Sequence, residues 1–365
     1  MAGRFVISSF SEINIEDSFF ESLKRDYPGN ENSTGFVEWF QKKKQEKAKA
    51  LTFEDEQGLG AFIYTKSEQE EIKLANSLLP SIYRMKIGTF RIDERYQGQR
   101  IGEGALGLVL WEWQQTDYKE IYVTVFEKQA PLISLFERFG FEIVGNNANN
   151  EKVLIKRRTI ISGDPVKSFP FIDSGFDYAG YLIVEDNYHD NMFAYSELAN
   201  TKFLQSQVIK SVSNGIRKIY IGKIRAEKYY IGEPVFIYRK HTKEGVKRYK
   251  SCVTSYCVVT NIINIKRNNR YDCSWQEFIA MVGNKSVFSE NELLIMYETY
   301  NNLSAIELLY CGYFGAGNNV NMDWLDQNGC WVTTENYPAD IRLSYDQFYD
   351  ILKKGEIYVP NVIIN

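Results

Sequence analysis

A strand–turn–helix pattern in residues 83–115 constrains this chain more than any other feature. An apolar strand candidate, Met85 to Ile92, leads to the turn QGQRIG (97–102), and an apolar helix candidate runs from Glu103 to Gln115. The first N–H groups of a helix lack backbone acceptors, and the helix dipole favours negative charge beside them. Glycine lets such a backbone approach a phosphate closely. The pattern therefore predicts a site for a phosphate-bearing cofactor.

Two common phosphate-binding motifs do not fit this turn. A Walker loop needs G-x-x-x-x-G-K-S/T, which is absent, and a dinucleotide fingerprint needs G-x-G-x-x-G with an acidic residue about 20 positions later. The glycines at 98, 102 and 104 do not have that spacing.

The turn instead resembles the signature of the GNAT N-acetyltransferase family, Q/R-x-x-G-x-G/A, between that family's fourth strand and third helix. QRIGEG (99–104) matches it fully. A second register aligns Tyr96 to Gly102 with the family string Y-R/Q-G-x-G-I/L-G, with Arg100 where the family has glycine. We prefer this second register, because it places Ile92 at the apolar end of the strand. In both registers the amides from Gln99 to Gly104 surround a pyrophosphate.

The resemblance implies acetyl-CoA as the cofactor and a set of residues that hold it. These are Phe90, Arg91, Ile92, Gln97, Gly98, Gln99, Arg100, Ile101, Gly102, Glu103, Gly104, Gln129 and Phe136.

A second family segment follows about 40 residues later. LFERFGFE (135–142) resembles the GNAT segment in which a helix ends and the next strand begins. Many GNAT enzymes have a tyrosine at the position of Phe136, where its hydroxyl protonates the leaving thiolate, and an asparagine at that of Gln129. Phenylalanine has no proton to give. The resemblance therefore supports cofactor binding better than a particular acid, and Glu127 is the candidate for a base.

Length and composition limit the other classes of protein. A chain of 365 residues is long enough for two domains. No run of apolar residues approaches the 18 needed to span a membrane, and MAGRFVISSF lacks the apolar core of a signal peptide. Five cysteines without a C-x-x-C pair predict reduced thiols in a cytoplasmic protein. Because the only histidines are His189 and His241, we expect no His-rich metal site and no Ser-His-Asp triad.

The predicted fold class is α/β (α+β) in two domains. Residues 1–158 read as a GNAT domain, a mixed sheet flanked by helices. Residues 159–176 are rich in Gly, Pro, Ser and Asp and predict a linker. Residues 177–365 resemble the PUA-like superfamily of ASCH or EVE type, a small β-barrel with added helices. GEPVFIY (232–238) and VVTNI (258–262) carry that resemblance, which implies an RNA or modified-base ligand.

The charge of residues 217–270 points to the same kind of partner. This segment has fourteen basic and three acidic residues, a net charge of +11 in a chain of net charge −4. Six tyrosines are interleaved with them. Cations for phosphates and rings for bases are typical of nucleic-acid binding, although packed tyrosines with a solvated face of lysines would give the same composition. The candidate nucleic-acid residues are Tyr238, Arg239, Lys240, Lys247 and Arg248.

Two functions from different classes remain open. The first is an acetyl-CoA-dependent N-acetyltransferase whose second domain recruits an acceptor containing RNA, such as aminoacyl-tRNA, or a protein acceptor; a small amine is a further option. The second is a non-catalytic nucleic-acid-binding protein that uses the GNAT domain as an acetyl-CoA sensor or scaffold. Turnover distinguishes the two. The sequence names neither the acceptor nor the oligomeric state.

Overall fold

The structure is a computed structural model, and it describes residues 5–29, 34–199, 214–224, 226–331 and 340–365. Two curled or twisted sheets, each with its own helices, account for most of these residues.

The first half of the chain builds a seven-stranded mixed sheet in the order β1-β2-β3-β4-β5-β7-β6. Its strands are β1 (Phe5–Ser9), β2 (Lys49–Asp55), β3 (Gly58–Lys73), β4 (Leu78–Ile92), β5 (Glu120–Phe126), β6 (Glu142–Asn146) and β7 (Glu151–Arg157). Neighbouring strands are antiparallel except β4 and β5, which are parallel because α3 crosses over between them.

Four helices flank this sheet. They are α1 (Glu21–Asp26), α2 (Phe36–Gln45), α3 (Ile101–Gln114) and α4 (Ala130–Arg138). A cluster of aromatic rings that includes Phe10, Phe20, Phe40 and Phe62 fixes α1 and α2 on one face. The predicted fold class, a mixed sheet flanked by helices of GNAT type, is confirmed.

The second half builds another sheet, in the order β10-β14-β12-β11-β9, with β13 and β15 also paired to β12. Its strands are β9 (Gly180–Glu185), β10 (Arg217–Gly222), β11 (Pro234–Lys240), β12 (Cys252–Arg267), β13 (Arg270–Tyr271), β14 (Leu303–Tyr313) and β15 (Val320–Asn321). The two longest strands shift register at three points, and the sheet curls into a half-barrel.

Among the described residues, seven short helices surround or precede the second sheet. They are α5 (Pro165–Ser168), α6 (Asp186–Met192), α7 (Lys247–Lys250), α8 (Trp275–Val282), α9 (Glu290–Thr299), α10 (Met322–Gln327) and α11 (Tyr345–Lys354). A capping box starts α8, α9 and α11, in which a serine and the side chain three residues later satisfy each other's backbone N–H groups.

The two halves share one hydrophobic core, and α3 lies at its centre. Trp111 packs against Tyr310 with ring centroids 5.1 Å apart, and Trp113 packs against Phe171 at 5.2 Å. Of the fourteen residues of α3, eleven are buried. A helix that is apolar on all sides is stable only when other elements bury all of its faces. Both halves therefore pack against α3.

The segment predicted as a linker takes part in this core. Residues 159–176 contain α5 and the short strand β8 (Ile172–Asp173), which pairs with β16 (Ile363–Ile364) near the other end of the chain. Phe169 and Phe171 are buried. The segment is therefore a packed connection, because its phenylalanines find apolar neighbours in both halves.

Among the described residues, no helix is both long and apolar enough to cross a membrane. The five cysteines are all free thiols, and four of them are buried.

Candidate active site

A cleft opens in the first sheet where β4 and β5 separate. These strands pair only from Arg84 to Ile87 and from Glu120 to Val123. Beyond this point residues 88–92 and 123–126 line a cavity of about 870 Å³. The opposite edge of β4 stays paired with β3. Residues Phe90–Ile92 therefore present their unpaired backbone edge to the cavity.

The predicted turn brings the N-terminus of α3 to this cavity. Gly98 (φ 78°) and Arg100 (φ 62°) both adopt the left-handed conformation, and the helix begins at Ile101. The amide of Gly104 donates to Arg100 O at 3.0 Å, the first bond of the helix. The amides of residues 101–103 precede that bond and have no intrahelical acceptor. The geometry suits an anion.

Most of the predicted cofactor residues lie together in the wall of this cavity. Those in the wall are Phe90, Arg91, Ile92, Gln97, Gly98, Arg100, Ile101, Gly102, Glu103 and Gln129. At Gly102 a Cβ atom would lie 3.4 Å from Leu135 Cδ2 and 3.8 Å from Ile92 Cγ1, both of which belong to cavity-lining residues. This glycine keeps the backbone open to the cavity.

The structure places three predicted cofactor residues elsewhere. The amide of Gln99 is bonded to Tyr96 O (3.1 Å), and its carbonyl accepts from Asn214 Nδ2 (3.0 Å). Gly104 faces the second half, where a Cβ atom would lie only 1.9 Å from Asn214 O. Phe136 is fully buried behind the cleft, with its ring 5.4 Å from that of Phe90.

The candidate base Glu127 lies outside the cavity wall. Its side chain is 77% exposed and pairs with Lys152 at 3.4 Å. Asp26 and Tyr27 do line the cavity, but neither family segment points to them. These two residues come from the end of α1, far from either family segment, so no local pattern marked them.

Tyr27 is held in place by a buried carboxylate. Its hydroxyl donates to Glu151 Oε1 at 2.8 Å, and Asn147 Nδ2 donates to the other oxygen at 2.7 Å. Burial, and then the charge of Glu151, raise the pKa of Tyr27 far above its usual range. Tyr27 therefore keeps its proton and presents a polar edge and an aromatic face to the cavity.

The second half also reaches this cavity. Arg217, Asn284 and Lys285 line it beside the turn. Asn284 Nδ2 donates to Gly98 O at 2.5 Å. The cofactor residues expected from the sequence end at Phe136, so these three residues are additional.

Most of the candidate nucleic-acid residues are paired within the protein. Arg239 is buried and makes two 2.8 Å bonds to Asp190, and Tyr238 stacks on Trp331 with centroids 4.4 Å apart. Lys240 pairs with Glu185 (3.2 Å), and Arg248 with Asp323 (2.6 Å) and Asp326 (2.8 Å). Lys247 is exposed. Carboxylates distant in sequence thus neutralise much of the local positive charge.

Comparison with known proteins identifies the class of the first half. The model of the Acetyltransferase (GNAT) family matches residues 16–141. This match agrees with the sheet and the cleft of the first half, which has the GNAT fold.

Two curated relatives are similar to part of this chain. The spermine/spermidine N(1)-acetyltransferase of Bacillus subtilis (strain 168) is 37% identical over 75 residues, which is 20% of this chain and 49% of that protein. The probable spermine N(1)-acetyltransferase of Bacillus subtilis subsp. natto (strain BEST195) is 35% identical over 75 residues, with the same coverage. The chain thus spans about half the length of the curated relatives it matches.

Two solved structures are similar to part of this chain at low identity. Ard1 from Thermoplasma volcanium has a TM-score of 0.30 and 12% identity, over 43% of this chain and 98% of that one. A mutant form of ZmASCH from Zymomonas mobilis has a TM-score of 0.30 and 12% identity, over 47% of this chain and 93% of that one.

Proposed function

We propose that this protein is an acetyl-CoA-dependent N-acetyltransferase. The observation that carries the proposal is a single cavity of about 870 Å³ that holds both the free amides of α3 and the unpaired edge of β4. Members of the matched family use acetyl-CoA, and the residues present fit it. The amides of residues 101–103 bind the pyrophosphate, and the backbone of Phe90–Ile92 bonds to the amide groups of the pantetheine arm.

The bound cofactor supplies an acetyl thioester, and the protein supplies position. The acceptor amine attacks the acetyl carbonyl, the new C–N bond replaces the C–S bond, and the proton lost from nitrogen neutralises the departing thiolate through water. Holding two reactants in a shared cavity accounts for most of the rate of such a step. Proton transfer by a side chain adds a smaller factor, so the reaction does not depend on a hydroxyl at position 136.

The part of the cavity lined by residues 26–39 suits an alkylammonium acceptor. Aromatic rings of Tyr27, Phe36 and Trp39 line it together with the carboxylate of Asp26. Aromatic faces and a carboxylate both attract an organic cation. The curated relatives are named as acetyltransferases of spermine and spermidine, and a polyamine is the acceptor we propose.

An acceptor that contains RNA is the second candidate, favoured by the +11 charge of residues 217–270. In this case the second half would recruit the acceptor through its exposed cations. The internal ion pairs of Arg239, Lys240 and Arg248 leave fewer free charges to bind RNA. We therefore prefer the polyamine as the acceptor.

A thiol-release assay with acetyl-CoA and a panel of acceptors tests the proposal. We expect turnover with spermidine that exceeds turnover with total RNA or total protein. Gly102→Glu should abolish both turnover and acetyl-CoA binding, because it adds bulk and negative charge at the free amides. Gln115→Glu adds the same charge beyond the far end of α3 and is the matched control. Cofactor binding without turnover on any acceptor would favour the sensor role instead.

A further inference from the structure

The outer wall of the cofactor cavity comes from the second half of the chain. Arg217 starts β10, and Lys285 follows α8, yet both line the same cavity as the turn of the first half. Neither residue is within 100 positions of the GNAT signature. Their presence at this wall is a property of the fusion of the two halves.

Arg100 connects these residues to the turn. Its guanidinium donates to Glu103 Oε1 at 2.6 Å and also bonds to the carbonyl of Arg217. The side chain is only 8% exposed, and its Nε and Nη1 atoms are buried without a hydrogen-bond partner among the described residues. A guanidinium in a cavity wall with two buried nitrogens left without an acceptor is costly, and these nitrogens suit an anion.

Close backbone contact holds this wall in place. At Gly215 a Cβ atom would lie within 2.6 Å of three guanidinium atoms of Arg100. The guanidinium therefore lies directly on the backbone of the second half. Asn284 Nδ2 also donates a hydrogen bond to Gly98 O in the turn.

The charges where the turn meets the second half are not balanced. Three cations, Arg100, Arg217 and Lys285, face two carboxylates, Glu103 and Glu307. Arg217 uses Nε and Nη2 for Glu103 and keeps Nη1, while Lys285 has three donors and one carboxylate partner among the described residues. One positive charge and several donors are thus left for a ligand.

From this geometry we infer that the second half completes the cofactor site by binding a phosphate monoester, the 3′-phosphate on the ribose of CoA. Arg217 and Lys285 hold this group, and Arg100 spans it and the pyrophosphate turn. A phosphate monoester carries nearly two negative charges at neutral pH and matches the unbalanced cations. The inference rests on the proposed function, because it takes acetyl-CoA as the occupant of the cavity.

Calorimetry on the full chain with CoA and with 3′-dephospho-CoA tests the inference. The two ligands share the pyrophosphate and the pantetheine arm and differ only in the monoester. We expect CoA to bind at least about ten-fold more tightly, as for a group that gains charge-assisted hydrogen bonds. Lys285→Met should remove most of this preference by weakening CoA alone, and Lys285→Arg should retain it.

Lys228→Met is the matched control, since Lys228 lies in the same half, is similarly half-buried and pairs with Asp340, but is outside the cavity wall. Thermal melts establish that each variant is folded. Equal affinity of the unmodified protein for the two ligands would overturn the inference. So would an unchanged preference in Lys285→Met and Arg217→Met, which would assign the monoester to the first half. If neither ligand binds, the proposed function fails as well, and this result is distinct from the others.

Discussion

Removal of the Glu103 carboxylate is expected to loosen the junction between the halves. This side chain is 6% exposed, and it accepts hydrogen bonds from Arg100 Nη2 (2.6 Å), the Arg217 amide (2.8 Å), and Arg217 Nε (3.2 Å) and Nη2 (3.1 Å). Burial alone would raise its pKa, but the two guanidinium groups hold the pKa below its ordinary value. Glu103→Ala leaves both cations without their carboxylate, which costs about 3–5 kcal/mol for a buried pair.

Thermal unfolding followed by circular dichroism measures this loss. An unfolding entropy of about 2.1 cal/mol/K per residue over 365 residues converts the loss to a fall in Tm of about 4–7 °C. The difference should shrink as the pH falls through the folded pKa of Glu103, because a carboxylate with a lowered pKa stabilises only while ionised. Glu137→Ala, at an exposed position of α4, is the control and should change stability by less than about 0.5 kcal/mol. A Tm for Glu103→Ala within 1 °C of the unmodified protein, roughly the size of that control effect, would refute this account of the junction.

Three further outcomes are expected. Phe136→Tyr should lower Tm by about 1–4 °C, since it buries a hydroxyl beside Phe90 and Phe141; an increase in turnover would show that the ring reaches the thioester. Burial raises the pKa of Glu233 to about 7, so the fold favours the neutral form of this side chain. Glu233→Gln should therefore stabilise the protein by about 3 kcal/mol above pH 7 and have little effect near pH 4.5. Urea titrations at the two pH values measure this difference. The affinity for single-stranded RNA, measured between 50 and 300 mM salt, should depend only weakly on salt, because internal ion pairs already occupy most of the candidate cations. We expect a plot of log affinity against log salt concentration to have a slope shallower than about −1.4, which corresponds to two phosphate contacts. A slope steeper than about −2.8 would support RNA recruitment through Arg239, Lys240, Lys247 and Arg248.

The cofactor turn could be predicted from the sequence because its physics is local. A strand, a left-handed turn with Gly98 and the amides at the start of α3 lie within twenty residues of one another. Their arrangement follows from backbone geometry, and the fold class and cleft agree with it. The roles of Gln129 and Phe136 are implied by a family resemblance, which does not show the direction of a side chain, and Phe136 is buried behind the cleft.

The junction between the halves was harder to predict, although α3 carried a signal. Its sequence IGEGALGLVLWEW has almost no polar face and has glycines at 104 and 107, each costing about 1 kcal/mol in a helix interior. At Gly107 a Cβ atom would lie 2.3 Å from Ile216 Cγ2. The close approach of residues 214–216 explains both glycines. The sequence near α3 does not indicate which distant segment, more than 100 residues away, packs against these glycines.

The free positive charge of residues 217–270 could not be predicted from the sequence for a related reason. A count along the chain cannot see Asp190 beside Arg239, or Asp323 beside Arg248, because these partners lie outside the segment. Of the six tyrosines, Tyr229, Tyr238 and Tyr256 are buried in the core. Their rings pack against the fold and are not displayed for bases.

The central position of α3 has a consequence for biosynthesis. The ribosome releases this helix long before β14, whose Tyr310 and Tyr313 cover Trp111. At 5–20 residues per second, the intervening stretch of about two hundred residues takes about 10–40 s to translate. Throughout that interval the nascent first half exposes a tryptophan-bearing apolar surface. We therefore expect the nascent chain to depend on chaperones until the second half is made, and fragments truncated before β14 to aggregate.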